Sequence, residues 1–251
     1  DSIVYTFTNN IPMITKGMHT LKVWAHTIGD DFAANDTIAN YTFYNSNHIN
    51  QFPYLENFET GNGGWYSNGR NSSWAYGKPS SDKINIAASG KNVWKTNLSG
   101  NYNNNEFSYL VSPCISTIGL SNPMLSFSNA FNVESCVAPC DRVFIEYSVD
   151  NEATWTRLGQ NGKGTNWYNN DVHNVWNGEN TRWHVASFEL PRANQMKLRF
   201  VMASDMGTNL EGFALDDIHI YDLKNPIAEF TTSKNEISGS NDINGSSWLR
   251  S

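Results

Sequence analysis

The sequence predicts an all-β protein, an antiparallel two-sheet sandwich of jelly-roll topology, and three observations predict it. Apolar and polar residues alternate at period 2: Val143, Ile145, Tyr147 and Val149 form one face of "DRVFIEYSVD", and Met196, Leu198, Phe200 and Met202 one face of "QMKLRFVMAS". Seven or more such runs follow one another with Gly, Asn and Pro between them and no helical period, and a sheet with one apolar face hides it best against a second sheet. Charged residues make up only 16% of the chain and aromatics 13%, among many Asn, Ser, Thr and Gly, a mixture suited to pleated strands joined by polar turns. A chain of 251 residues is long enough for one such sandwich with partial neighbours at its ends.

Three zones follow in order. Residues 1–46 hold two strand-like runs around "GDDFAANDT", where Asp30, Asp31, Asn35 and Asp36 make a polar turn; Leu21, Val23 and Ala25 share one face, as in the last strands of an immunoglobulin-like or fibronectin-like repeat. Residues 50–223 carry the alternating runs of the sandwich. Residues 224–251 turn into polar low complexity after Pro226, Ala228 and Phe230, the pattern of a linker or of the start of another β repeat. We expect the chain to be an excised piece of a longer protein, because its opening shows no basic segment followed by an apolar run. No stretch approaches the ~20 apolar residues that cross a bilayer. The formal net charge is −7 and the 17 Lys and Arg are scattered along the sequence, which argues against nucleic acid as a partner. Cys136 and Cys140, close together around Pro139, are expected to form a local disulfide, two reduced thiols being the alternative; Cys114 reads as a small buried hydrophobe.

Three stretches resemble a known family. "ENFETGNGGW" (56–65) looks like an opening "FE…GW" strand and turn, "NSSWAYGKP" (71–79) like the Trp-centred segment after it, and "EGFALDDIHI" (211–220) like a closing "ALDDI" strand. In this order and spacing they resemble the MAM domain and its bacterial relatives, including cleaved adhesin domains attached to secreted proteases. The resemblance covers about Phe52 to Tyr221 and implies a jelly roll of concanavalin-like or galactose-binding-like outline. Glu56 stands where the animal-type motif opens with Cys, so the bacterial branch is the better match. The resemblance also implies structural Ca²⁺ clamping the first and last strands, with Glu59, Asp216 and Asp217 as ligands and Asn71 replacing an acidic residue ahead of Trp74. Such a clamp makes physical sense, since Ca²⁺ gathers six to eight oxygens and joins segments distant in sequence only when the sandwich is closed. The alternative is that Asp216 and Asp217 merely end a strand and cap a turn.

Catalytic patterns are missing from the sequence: His19, His26, His48, His173, His184 and His219 show no H-E-x-x-H spacing, and neither G-x-S-x-G nor a P-loop occurs. Glu134, Asp141, Glu146 and Asp150 are the carboxylates to weigh for a glycosidase pair, against solvent-face and turn roles. Trp167, Tyr168, Trp176 and Trp183 lie in an Asn- and Gly-rich stretch, where exposed rings beside amides are what sugars stack on; anchoring a long loop to the sandwich is the competing role. Sequons at Asn35, Asn40, Asn71, Asn97 and Asn244 arise readily in an Asn-rich bacterial chain. The expectation is thus a monomeric, non-enzymatic module, extracellular or at the cell surface, exported by a route the resemblance makes type IX. It binds glycan or extracellular protein, or else serves as a spacer beside a secreted protease or glycoside hydrolase elsewhere in the parent chain.

Overall fold

The computed structural model describes residues 6, 8, 9, 15–25, 28, 29, 32, 37–45, 47–136 and 140–224. The turn with Asp30, Asp31, Asn35 and Asp36, the bend at Pro139, the segment with Pro226, Ala228 and Phe230, and the sequon Asn244 lie outside them. The described residues form no helix, and their strands run in the order β1 (Gly17–Trp24), β2 (Thr37–Asn45), β3 (His48–Ile49), β4 (Tyr54–Glu56), β5 (Tyr66–Arg70), β6 (Trp74–Gly77), β7 (Val93–Thr96), β8 (Phe107–Val111), β9 (Cys114–Ile115), β10 (Pro123–Val133), β11 (Arg142–Ser148), β12 (Thr156–Arg157), β13 (Gly178–Glu189), β14 (Lys197–Ala203) and β15 (Gly212–Asp222).

Two antiparallel sheets make the sandwich, one ordered β13-β10-β15-β7-β6 with β4 also on β15, the other β12-β11-β14-β8-β5. The period-2 faces meet as the alternation requires. Val143 and Ile145 of β11 stand opposite Met202 and Phe200 of β14, and all four are fully buried. Val149 is the exception, 47% exposed, because β11 ends at Ser148 and the chain turns there. From the other sheet Phe127, Phe131, Phe213 and Leu215 point into the same core, and the rings of Phe127 and Phe200 meet edge to face at 5.0 Å across the two layers. Each such ring removed from water contributes about 1.5–3 kcal/mol.

The start and end of the sandwich are side by side: β4 lies against β15, with Tyr54 opposite Ile220 and Glu56 opposite Ile218. Upstream, β1 and β2 pair as a hairpin in which Leu21 faces Tyr41 and His19 faces Phe43. His48 and Ile49 run parallel beside Cys114 and Ile115, so backbone pairing with the sandwich begins at His48. Ile115 is buried, whereas Cys114 is half-buried rather than part of the core, because side chains of successive strand residues point to opposite faces. Cys136 and Cys140 are joined by a disulfide.

Candidate functional site

The loop that connects β12 to β13 turns its rings inward. Trp167, Tyr168 and Trp176 are only 2%, 5% and 1% exposed. Trp176 packs on Phe213 and on Tyr168, and Trp167 on Phe127, so the three rings plug one end of the sandwich. Their polar atoms are occupied as well: the Trp167 indole and the Tyr168 hydroxyl both donate to the Leu158 carbonyl, at 3.0 and 2.8 Å. This corrects their assignment as a sugar-stacking platform, since a ring enclosed on both faces by protein offers no face to a sugar. Trp183 remains partly exposed, but it packs against Ile84 and donates its indole N–H to the Ile86 carbonyl, pinning residues 82–88 over the outer side of the six-stranded sheet. The signal that separates these rings from surface ones is the density of large apolar residues in one loop, more than a solvated loop needs.

The carboxylates that the resemblance singled out address one loop, residues 88–92. Glu59 Oε1 accepts the N–H groups of Lys91 and Asn92 at 2.8 and 2.7 Å, and these bonds hold its carboxyl below the usual range. The approach is so close that a Cβ on Gly90, at φ +59°, would overlap the Glu59 side chain. Asp216, fully buried, accepts the N–H groups of Ala88 and Ser89 on Oδ2 and that of Asp217 on Oδ1. Burial, and next the neighbouring Asp217 charge, push its pKa up to about 7 against the pull of those donors. Asp217, in a left-handed conformation at φ +49°, takes the Ser89 hydroxyl at 2.6 Å. Asn71 is elsewhere. It precedes β6 at the Trp74 end, whereas residue 92 meets β6 at the Gly77 end, so the length of the β6–β7 ladder separates them. Its amide faces the carbonyls of Asn104 and Asn105. Asn71 therefore drops out of the ligand set.

Three of the four carboxylates weighed for catalysis, Asp141, Glu146 and Asp150, have structural partners. Arg199 grips Glu146 through Nε and Nη2 at 2.8 and 2.6 Å. Asp150 caps its turn, and the Thr154 hydroxyl and N–H with the Ser148 hydroxyl hold its pKa down to about 2. Asp141 is 1% exposed, bound to the Tyr102 hydroxyl at 2.5 Å and to the Asp205 N–H at 2.8 Å. Glu134 lies with Asp205 and Cys140 in a group whose ligand atoms are within 4.8 Å of one another, but the Cys140 sulfur is already bonded to Cys136.

A cleft of about 750 Å³ opens where the loop after β12 crosses the end of β10 and β13, lined by Met124, Gly159, Gln160, Lys163, Gly164, Phe188 and Glu189. Gly159 and Gly164, at φ +73° and +69°, let the loop lie directly on Phe188 and Ser187, where any Cβ would collide. The Thr165–Ser187 pair of backbone hydrogen bonds, 2.9 and 3.0 Å, fixes it there. One aromatic ring, one amide, one ammonium and one carboxylate thus converge on a concave surface of ligand size. Sequence reading missed it, because Phe188 and the glycine run are more than 20 positions apart.

No family model matches the chain. It is 30% identical over 186 residues to Bacillopeptidase F of Bacillus subtilis (strain 168), a match that takes in 73% of this chain; the chain spans 11% of that protein's length. Among solved structures it is similar to the K1 and K2 cleaved adhesin domains of Lys-gingipain, the first from Porphyromonas gingivalis W83, with 13% and 19% identity and TM-scores of 0.42 and 0.40. Those matches cover 68% and 67% of this chain and 99% and 98% of theirs. A CBM22-1 xylan-binding domain from Paenibacillus barcinonensis gives 10% identity and a TM-score of 0.38, over 67% of this chain and 92% of that one.

Proposed function

We propose that this chain is a non-catalytic accessory module of a longer extracellular or cell-surface protein, binding glycan or protein at the edge of its sandwich and braced by structural calcium. The cleft beside Phe188 carries this reading: a partly exposed ring next to Gln160, Lys163 and Glu189 offers stacking together with donors and acceptors of the kind sugar hydroxyls use. A relative named as a peptidase, of which this chain spans 11%, supports a module attached to a hydrolase elsewhere in a longer chain. The Cys136–Cys140 disulfide fits an oxidising compartment. Chemistry is left to the rest of the parent chain, because Asp141, Glu146 and Asp150 are spent on internal contacts.

Calcium suits the donors at the 88–92 loop. Glu59, just after the first strand of the sandwich, and Asp217, in its last, offer hard carboxylate oxygens to the same loop, and Asp216, with both oxygens taken by N–H groups, stands behind them. The ion would add positive charge beside Asp217, where Lys91 acts on Glu59. The module reading is tested on a glycan array and on immobilised extracellular proteins with the intact monomeric chain: binding to a defined set, lost in Phe188→Ala with the far-UV spectrum unchanged, supports it. Silence on both panels favours a spacer, the reading that the burial of Trp167, Tyr168 and Trp176 favours.

A further inference from the structure

The outer face of the five-stranded sheet carries a second feature, built by register rather than by sequence proximity. Arg142 of β11 pairs with Ala203 of β14, Ala203 with Phe107 of β8, and Phe107 with Arg70 of β5, so these four side chains form one row on one face. The two guanidinium groups stand three strand spacings apart at their Cα atoms, roughly 14 Å, with Phe107 between them at 39% exposure and only a methyl group at Ala203. Two rows away the same face holds Arg199, its guanidinium 4.2 Å from the Tyr109 ring centre and 4.1 Å from that of Trp155, and Arg157 stacked 3.4 Å above Phe144. Four of the seven arginines of a chain with net charge −7 therefore share one sheet face, where the carboxylate among the paired strand positions is Glu146. Beyond Arg70 the edge is lined by amides: Arg70 Nε donates to the Asn105 carbonyl at 3.2 Å, Asn68 lies exposed in β5, and Asn71 and Asn103 hold the adjoining turn.

We infer that this face binds an acidic polysaccharide, a chain of sugar rings bearing carboxylates. The charge matches, since guanidinium edges pair with carboxylates in a planar, two-point fashion that ammonium groups do not reproduce. The exposed Phe107 ring between the two arginines suits the apolar face of a sugar, and the amide border suits its hydroxyls; a poly-glutamate chain would use the charges but has no ring to lay on Phe107. Arg199 and Arg157, stacked on aromatic rings, keep the face positive, while Arg70, Arg142 and Phe107 make the contact. This surface is separate from the Phe188 cleft, and either can fail without the other.

The test measures retardation of the intact chain in affinity gels containing polygalacturonate, neutral xylan or poly-glutamate, at low and at 0.5 M salt. Retention on polygalacturonate is expected, reduced at least about tenfold by raised salt, by about tenfold in Arg70→Gln or Arg142→Gln, and by about threefold to tenfold in Phe107→Ala. Each variant is checked for a wild-type melting temperature. No retention on polygalacturonate, equal retention on poly-glutamate, or wild-type retention by the folded double arginine variant overturns the assignment. Salt-insensitive binding to neutral xylan that needs Phe188 overturns it while leaving the proposed module function standing.

Discussion

Lys95 is wholly buried on β7, on the outer side of the six-stranded sheet and beneath residues 81–84. Its ammonium donates to the carbonyls of Glu211 and Asn97 at 2.6 and 2.7 Å and to the Ser81 hydroxyl at 3.0 Å, an oxygen cage that ties three segments together. Burial pushes its pKa down to about 8, against the pull of the Glu211 carboxylate. The folded state thus releases this proton before the unfolded chain does. Between pH 8 and the ordinary lysine value near 10.4, the unfolded state binds more protons, and stability contributed at this site rises with pH. Lys95→Met leaves the cage oxygens unpaired and should cost about 3 kcal/mol at pH 7. Urea midpoints at pH 7, 8 and 9.5 should show the gap between wild type and variant widening with pH; a constant gap would mean that the lysine stays charged throughout.

Gly164 shows the same economy at the level of an element. It holds φ +69° with its α-carbon pressed on the Ser187 carbonyl, so the loop after β12 can lie on β13 and form the wall of the cleft. Gly164→Ala should destabilise by about 2–3 kcal/mol, from the left-handed strain and the collision together, read as a lower urea midpoint at unchanged slope, and should weaken any ligand bound beside Phe188. The strands themselves were legible in advance: the alternation at Val143, Ile145 and Tyr147 and at Leu198, Phe200 and Met202 reports which face is buried, because a half-buried strand has period 2. Two things were not. Trp167, Tyr168 and Trp176 sit among Asn and Gly, where sugar stacking and loop anchoring both stay open, and the anchoring role is the one that burial bears out, because the open end of a sandwich needs a plug and a loop is the segment able to reach it. Arginines that look scattered along the chain fall into one face through register, which depends on strand pairings between residues up to 96 positions apart, as Phe107 and Ala203 are. Asn71 failed for a related reason, since nearness to Trp74 in sequence says nothing about which end of the β6–β7 ladder it occupies.

For the molecule as a whole, closure depends on joining its first strand to its last. β4 adds to β15 through three residue pairs only, and just beyond them Glu59 and the Asp216–Asp217 pair reach the same loop, 88–92, from the two ends of the sandwich. Asp217 repels Asp216, Glu59 meets the same loop beside Lys91, and only in the folded state are these groups brought to one loop, so a cation taken up there would bind the folded state alone. Calcium should therefore stabilise by mass action, by about 2.7 kcal/mol at one hundred times its dissociation constant. For a domain of this size that corresponds to a rise of roughly 5–10 °C in melting temperature between chelator and excess calcium. Glu59→Gln and Asp217→Asn should each erase most of that difference, whereas Asn71→Ala should keep it. Asp216→Asn should lower stability in both conditions, because an amide cannot accept all three N–H groups that the carboxylate now holds. Identical melting curves with and without calcium would instead leave the closure to the β4–β15 ladder and to the N–H groups that Glu59 and Asp216 already bind.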